Sequence, residues 1–235
     1  MSEDRTGSAM ILGFSLMAGL LGLGLIVSTA TIRVKSFERS VVVKGLSERE
    51  YPADVVIWPI QFTRTGNDAA ALYASVEEDT ESIRSFLMEK GIREDEISLS
   101  PPAVTDKSAF SYGGQETPFR YSSIRTITVY SSRIDTVRAL MSSLAELGRQ
   151  GIVFSDTAYQ TEYLFNRLNE IKPEMIEEAT KNAREVAQRF ADDSESSLGK
   201  IKKASQGQFS ISPRDRNNPH IKRIRVVSTV EYYLR

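Results

Sequence analysis

From Ala9 to Ala30, "AMILGFSLMAGLLGLGLIVSTA", the chain carries no charged residue. Twenty-two residues at about 1.5 Å each reach about 33 Å, enough to cross a hydrocarbon core of about 30 Å. A charge-free run of this length predicts a membrane helix rather than a core helix. Two readings of it stay open. One is a signal peptide cut after Ala30, where Ser28 and Ala30 place small residues at the right spacing. The other is an uncleaved anchor. The run exceeds the apolar core of an ordinary signal peptide and "MSEDRTGS" before it is not strongly basic, so the anchor is the preferred expectation. Only Arg5 and the α-amino group precede the run, whereas Arg33, Lys35 and Arg39 follow it. A bare count of positive charges therefore places the C-terminal part in the cytoplasm.

Within the run, small residues recur four apart: Ser15 with Gly19, Ala18 with Gly22, Gly24 with Ser28. Such pairs let helices approach closely in lipid. They are the candidate helix-packing residues. The expected organisation is a short N-terminal segment (1–8), the anchor or signal (9–30), a charged stalk (31–39) and a folded domain (40–235).

Outside the anchor and its leader, Lys and Arg balance Asp and Glu at 29 each. No bulk field points to nucleic acid or to an anionic surface. The chain has no cysteine, which excludes disulfides, thiolate catalysis, Fe–S clusters and cysteine zinc sites.

Alternating apolar residues predict strands at Val41–Val43 and Val55–Phe62, the second with Val56, Trp58, Ile60 and Phe62 on one face. Between them Gly45 to Asp54, with Glu48–Arg49–Glu50, reads as a polar connection without a catalytic role. Trp58 reads as core, and Pro59 points to an edge or a bulge because it cannot donate to a ladder. "GNDAAALYASVEEDTESIRSFLMEKGI" predicts a helix capped by Asn67 or Asp68, stopped at Gly91, with Leu72, Val76, Ile83 and Leu87 inward. Glu77, Glu78, Asp79 and Glu81 fall mostly on its solvent side. "DEISLSPPAVTD" predicts a third strand, "KSAFSYGGQETPFRY" a loop and "YSSIRTITVY" a fourth strand. "SRIDTVRALMSSLAELGRQG" reads as a second helix and "IVFSDTAYQTEY" as a fifth strand. In "IKPEMIEEATKNAREVAQRFADD" a third helix has Pro173 in its first turn and an inward stripe of Met175, Ala179, Ala183, Val186 and Phe190. "LGKIKKASQGQFSI" and "IKRIRVVSTVEYYL" are the last two strands. The expectation is an α+β fold: a mostly antiparallel sheet with helices on one face, in the order β β α β β α β α β β, preceded by one transmembrane helix.

Residues that could carry chemistry are sparse. His220 is the one histidine and sits in a polar turn; a catalytic triad would have to use it. No nucleophile elbow, phosphate loop, dinucleotide fingerprint, zinc-protease or EF-hand pattern is present. Asp192–Asp193 reads as an exposed pair at a helix end. Arg214, Arg216, Lys222, Arg223 and Arg225 form a basic patch without interleaved aromatics. It suits an acidic neighbouring subunit or lipid headgroups, or is simply a solvated hairpin. No cofactor or metal is expected.

The chain resembles the SIMPL-domain family of bacterial envelope proteins. The likeness rests on "VVVKGLSEREYPADVVIWPIQF", "GNDAAALY", "FLMEKGIREDEISLSPP", "EEATKNAREVAQRFADD", "LGKIKKASQGQFSI" and "RVVSTVEYYL", and on Gly45, Ser47, Ala53 and Asp54 matching the family's opening pattern. The glycine usual before the final Leu-Gly is missing in "DDSESSLGK", which bears on local turn geometry. The resemblance implies a periplasmic or surface domain behind a single-pass inner-membrane anchor, an α+β fold, and homo-oligomers, rings among them. It implies no enzymatic activity and no catalytic residues. It turns the topology to N-in, C-out, against the charge count. The expected function is that of a self-assembling envelope protein with a structural or interaction role. The alternative is a ligand-binding or sensing domain using a loop lined by Tyr112, Phe119 and Tyr121. A hydrolase using paired carboxylates is a third, weaker alternative.

Overall fold

The computed structural model describes residues 3–36, 39–110, 118–155 and 160–235. The chain divides into two compact units: Met1–Glu48 with Pro173–Phe209 and Arg225–Arg235, and Arg49–Lys172 with Ser210–Ile224. The fold is α+β with antiparallel strand pairs, as expected, and its strands form two sheets.

In the second unit, β2 (Val55–Gly66) and β5 (Tyr121–Ser131) pair without interruption from Val56 opposite Ser131 to Gly66 opposite Tyr121. Strict alternation aligns Trp58 with Val129 and Ile60 with Ile127, all buried. Burying each such side chain contributes on the order of 2 kcal/mol. Helices α2 (Ala69–Glu89) and α3 (Ile134–Ser143) close this face with Leu72, Val76, Ile83, Leu87, Val137 and Leu140. Trp58 is core, as its strand face predicts. At the start of α2, the Asp68 carboxylate accepts from the Ala71 N–H at 2.7 Å. Past its end Gly91 takes a φ of +97°, which favours glycine.

The third strand of the sequence reading is split. Pro101 and Pro102 lack N–H donors, so β3 (Ile97–Leu99) and β4 (Ala103–Asp106) pair with β5 on either side of them. The second helix is likewise divided into α3 and α4 (Ala145–Arg149), with Leu144 between them still at helical angles. The fifth strand is present as β6 (Val153–Phe154) and β7 (Glu162–Leu164), both pairing with β2; residues 156–159 lie outside the described residues. Strand β2 is therefore internal, which corrects the edge position expected from Pro59. The β7 register stops at Ile57 and the β6 register at Phe62, and Pro59 falls between them. A residue without an N–H is tolerated there because neither short strand needs it as a donor.

In the first unit the sheet order is β1 (Ser40–Pro52), β10 (Ile221–Leu234), β8 (Leu198–Gln206). Strand β10 alternates inward with Val226, Ser228, Val230 and Tyr232, and β1 with Val43, Gly45 and Ser47. Helix α5 (Leu168–Asp193) covers that face, with Pro173 in its second turn. Two expectations are corrected here. The polar link is not a turn: β1 runs unbroken through Lys44, Glu48 and Glu50, because alternation continues with charged residues on its open side. The α5 stripe is Met175, Ala179, Ala183, Ala187 and Ala191, all fully buried, while Val186 (37% exposed) and Phe190 (56%) face outward. The four-residue alanine spacing keeps one helix face in register with the sheet, and only so small a side chain permits the close approach described below. In the second unit, the short β9 (Ser210–Pro213) pairs with β10.

Candidate anchor and interaction surfaces

Helix α1 (Glu3–Ser36) contains the one segment among the described residues long and apolar enough to cross a membrane, Gly13–Ala30. None of it is buried. Ser15, Ala18, Gly19, Gly24 and Ser28 are exposed and Gly22 nearly so. A Cβ added at Gly19, Gly22 or Gly24 meets nothing within 4 Å. The hydroxyl of Thr29 folds back onto the carbonyls of Leu25 and Ile26, which satisfies it without a second helix.

In the first unit, β1 is clamped to α5. A Cβ on Gly45 would stand 1.8 Å from the Ala179 carbonyl oxygen and 2.4 Å from the Ala183 nitrogen. On either side of this contact the Ser47 hydroxyl donates to the Glu178 carboxylate at 3.0 Å, and the Asn182 amide donates to the Leu46 carbonyl at 2.8 Å. Gly45 is thus a packing residue rather than a turn residue. The signal for it in the sequence was the alanine repeat in α5, which only a side chain-free partner can meet so closely.

Beside α5, the edge strand β8 is exposed along Lys200–Gln206. A groove of about 740 Å³ opens between them, with Ile201 and Tyr232 below and Lys181, Arg184, Lys200 and Glu177 around it. Sequence reasoning passed over this feature, because β8 read as an ordinary strand.

The basic hairpin is largely neutralised by neighbouring acids. In the second unit Arg214 pairs with Asp215 at 3.0 Å, and Glu50 lies 3.8 Å from Arg214 and 3.9 Å from Arg223. In the first, Arg225 lies 3.9 Å from Glu48. Lys222 is buried, and burial pushes its amine below the usual range, with Glu162 opposing. Arg216 is exposed. The guanidinium of Arg214 and the amide of Asn218 hold the Asp215 carboxyl down at about 2.

Two carboxylates, the partly buried Asp54 and the buried Glu96, organise the second unit. Burial alone would raise Asp54, but the Asn166 N–H and the Arg167 side chain and N–H together hold it below the usual range; the Arg167 guanidinium sits 2.7 Å away. Glu96 behaves alike: burial opposes ionisation, and the Arg93 N–H, the Ser131 hydroxyl and the Arg133 guanidinium outweigh it. Asp79, expected mostly outside, is buried and paired with Arg64 because α2 turns it toward the sheet. Glu77 accepts from Arg125, whose guanidinium also donates to Thr80 at 2.9 Å. These are structural ion pairs with both partners satisfied.

His220 lines a cavity of about 350 Å³ together with Pro52, Ala53, Arg133, Asp135 and Thr136. Its Nδ1 is buried without a hydrogen-bond partner among the described residues, and its ring stands edge-on to Tyr163, centroids 6.1 Å apart. Burial, helped by Arg138 and opposed by Asp135, holds the imidazole below its usual range. Ser132 also lines this cavity, but no nucleophile–base hydrogen bond joins it to His220 among the described residues. Asp192 accepts from Gln188 at 2.8 Å, and both Asp192 and Asp193 are exposed at the end of α5, as expected. No group of three or more potential metal ligands occurs among the described residues. Of the loop aromatics, Tyr112 lies outside the described residues, Phe119 is exposed, and Tyr121 packs on the core with Arg120 over its ring.

No curated relative matches the chain. The family model for SIMPL, described as a protein of unknown function (DUF541), matches residues 41–229. That stretch is more than half of the chain and takes in residues of every strand of both sheets, so the chain belongs to the SIMPL family.

Proposed function

We propose that this is a membrane-anchored, self-assembling envelope protein with a structural or interaction role and no catalysis of its own. The observation that carries the reading is α1: an apolar span with no buried residue, whose burden of exposed side chains is relieved only in lipid or against other copies of itself. The small-residue pairs Ser15/Gly19, Ala18/Gly22 and Gly24/Ser28 supply faces for the second of these. Ion pairs such as Arg64–Asp79 and Arg133–Glu96 absorb the buried carboxylates into the fold, which supports a scaffold rather than an acid–base site. In this reading α1 is a single pass through the bacterial inner membrane and the SIMPL domain lies in the periplasm.

The test is light scattering of the detergent-extracted full-length chain beside a truncated chain beginning at Ser36. Large, single-valued masses for both place assembly in the SIMPL domain, and a monomeric truncated chain places it in α1. A monomeric full-length chain defeats the reading.

The cavity at His220 favours a second reading, a ligand-binding or sensing domain. There a small ligand would meet the buried Nδ1, which has no hydrogen-bond partner among the described residues. A ligand that shifts the His220 ring resonances of the monomeric chain would establish this reading over the first.

A further inference from the structure

Among the described residues strand β8 is paired on one side, and from Lys200 onward it is exposed on both faces. Among the described residues its partner is β10 alone, in a register that is regular from Ser228 opposite Gln206 to Glu231 opposite Lys203 and shifts on either side of Tyr232, which stands opposite Ile201. Every residue from Lys200 to Gln206 is exposed, Ile201 at 51%. On an antiparallel edge, alternate N–H and C=O groups point away from the sheet and are free to pair with an added strand.

What this edge admits is set by its charge. The sequence "LGKIKKASQ" carries three lysines and no acid; Lys202 is held by Glu231 on β10 at 3.0 Å, so the edge cations that bear on a partner are Lys200 and Lys203. Lysines on an edge deter pairing with a like strand, and two copies of β8 side by side would oppose cation to cation. The groove next to β8 repeats the sign, with Lys181, Arg184 and Lys200 against Glu177 alone, above an apolar floor of Ile201 and Tyr232. The same lysines that exclude a second β8 attract a strand of opposite charge.

We propose that β8 is the docking edge for an acidic, extended segment of a partner polypeptide. The segment adds as a further strand beside Lys200–Gln206 and seats one apolar side chain over Ile201 and Tyr232. Backbone pairing supplies the affinity, and the cations and the groove supply the selectivity. This inference is independent of self-assembly.

The probe is a fluorescein-labelled decapeptide alternating Glu and Val, compared with its Lys–Val counterpart, added to the full-length protein in detergent micelles. The acidic peptide should bind at least about tenfold more tightly by anisotropy, and hydrogen exchange should slow at alternate amides within 203–206, where the register is regular. The variant Lys181→Glu/Lys200→Glu should reverse the preference while keeping the wild-type circular dichroism, since both side chains are exposed. Equal binding of the two peptides, or slowed exchange elsewhere but not in β8, overturns the proposal. So does a β8 already protected in the free protein with a mass that grows with concentration, because a second copy then covers the edge.

Discussion

Gly45 on β1 and Ala179 on α5 approach so closely that a methyl group on the glycine would lie 1.8 Å from the alanine's carbonyl oxygen. The obstructing atoms are backbone, so no rotamer change relieves the clash. Gly45→Ala must push the helix off the strand, and it should destabilise the protein by about 3 kcal/mol. Chemical denaturation of the full-length chain in detergent checks this; a loss under 0.5 kcal/mol would mean that β1 and α5 are farther apart than described.

Much of the second unit was legible in the sequence because its signals are local. Val56, Trp58, Ile60 and Phe62 alternate without exception, and Asp68 and Gly91 mark the two ends of α2. The errors arise where a long-range partner decides. Glu48 and Glu50 look like turn residues until Arg225, Arg214 and Arg223 stand beside them on β10 and its hairpin. Val186 and Phe190 are large and apolar, yet the face of α5 on the sheet is the stripe through Ala179 and Ala183, because the backbone of Gly45 comes directly against those two residues. The apolar span Gly13–Ala30 was legible from composition alone. The β8 edge was not, since nothing in nine residues tells whether a neighbouring strand lies on one side or on both.

Asp54 ties the end of β1 to the segment after β7. Its carboxylate accepts from the Asn166 and Arg167 N–H groups and pairs with the Arg167 guanidinium. Asp54→Ala leaves those amides without their acceptor, and the expected loss is about 2 kcal/mol. The specific signature is faster hydrogen exchange at Asn166 and Arg167, with the β2–β5 ladder unchanged. Protection that persists at both amides would show that the carboxylate does not hold them.

Acid should weaken the second unit in two stages. His220 has a folded pKa below its unfolded value near 6.5, so between the two the unfolded chain binds more protons. Stability is therefore full above about pH 6.5 and declines as pH falls through the folded value. Glu96 and Asp54, both depressed below their usual 4.5 and 3.8, contribute stability that is present above those values and lost at lower pH. Denaturation midpoints measured from pH 7.5 to 3 should show both declines, and His220→Asn should remove the upper one alone. An unchanged profile in that variant would assign the upper decline to another group.

The two faces of α5 make opposite demands. Ala187 is fully buried and Phe190, three residues on, is 56% exposed. Ala187→Leu inserts three carbons against the sheet and should destabilise by about 2–3 kcal/mol, whereas Phe190→Ala removes a ring from open surface and should shift stability by no more than about 0.5 kcal/mol. A helix buried on the face that its bulkiest side chains suggest would give the reverse: a tolerated leucine at 187, and a loss of about 3–5 kcal/mol on truncating the phenylalanine. Measuring both substitutions by denaturation of the full-length chain decides which face the sheet holds, and with it whether the close approach at Gly45 is what selects alanine along the helix.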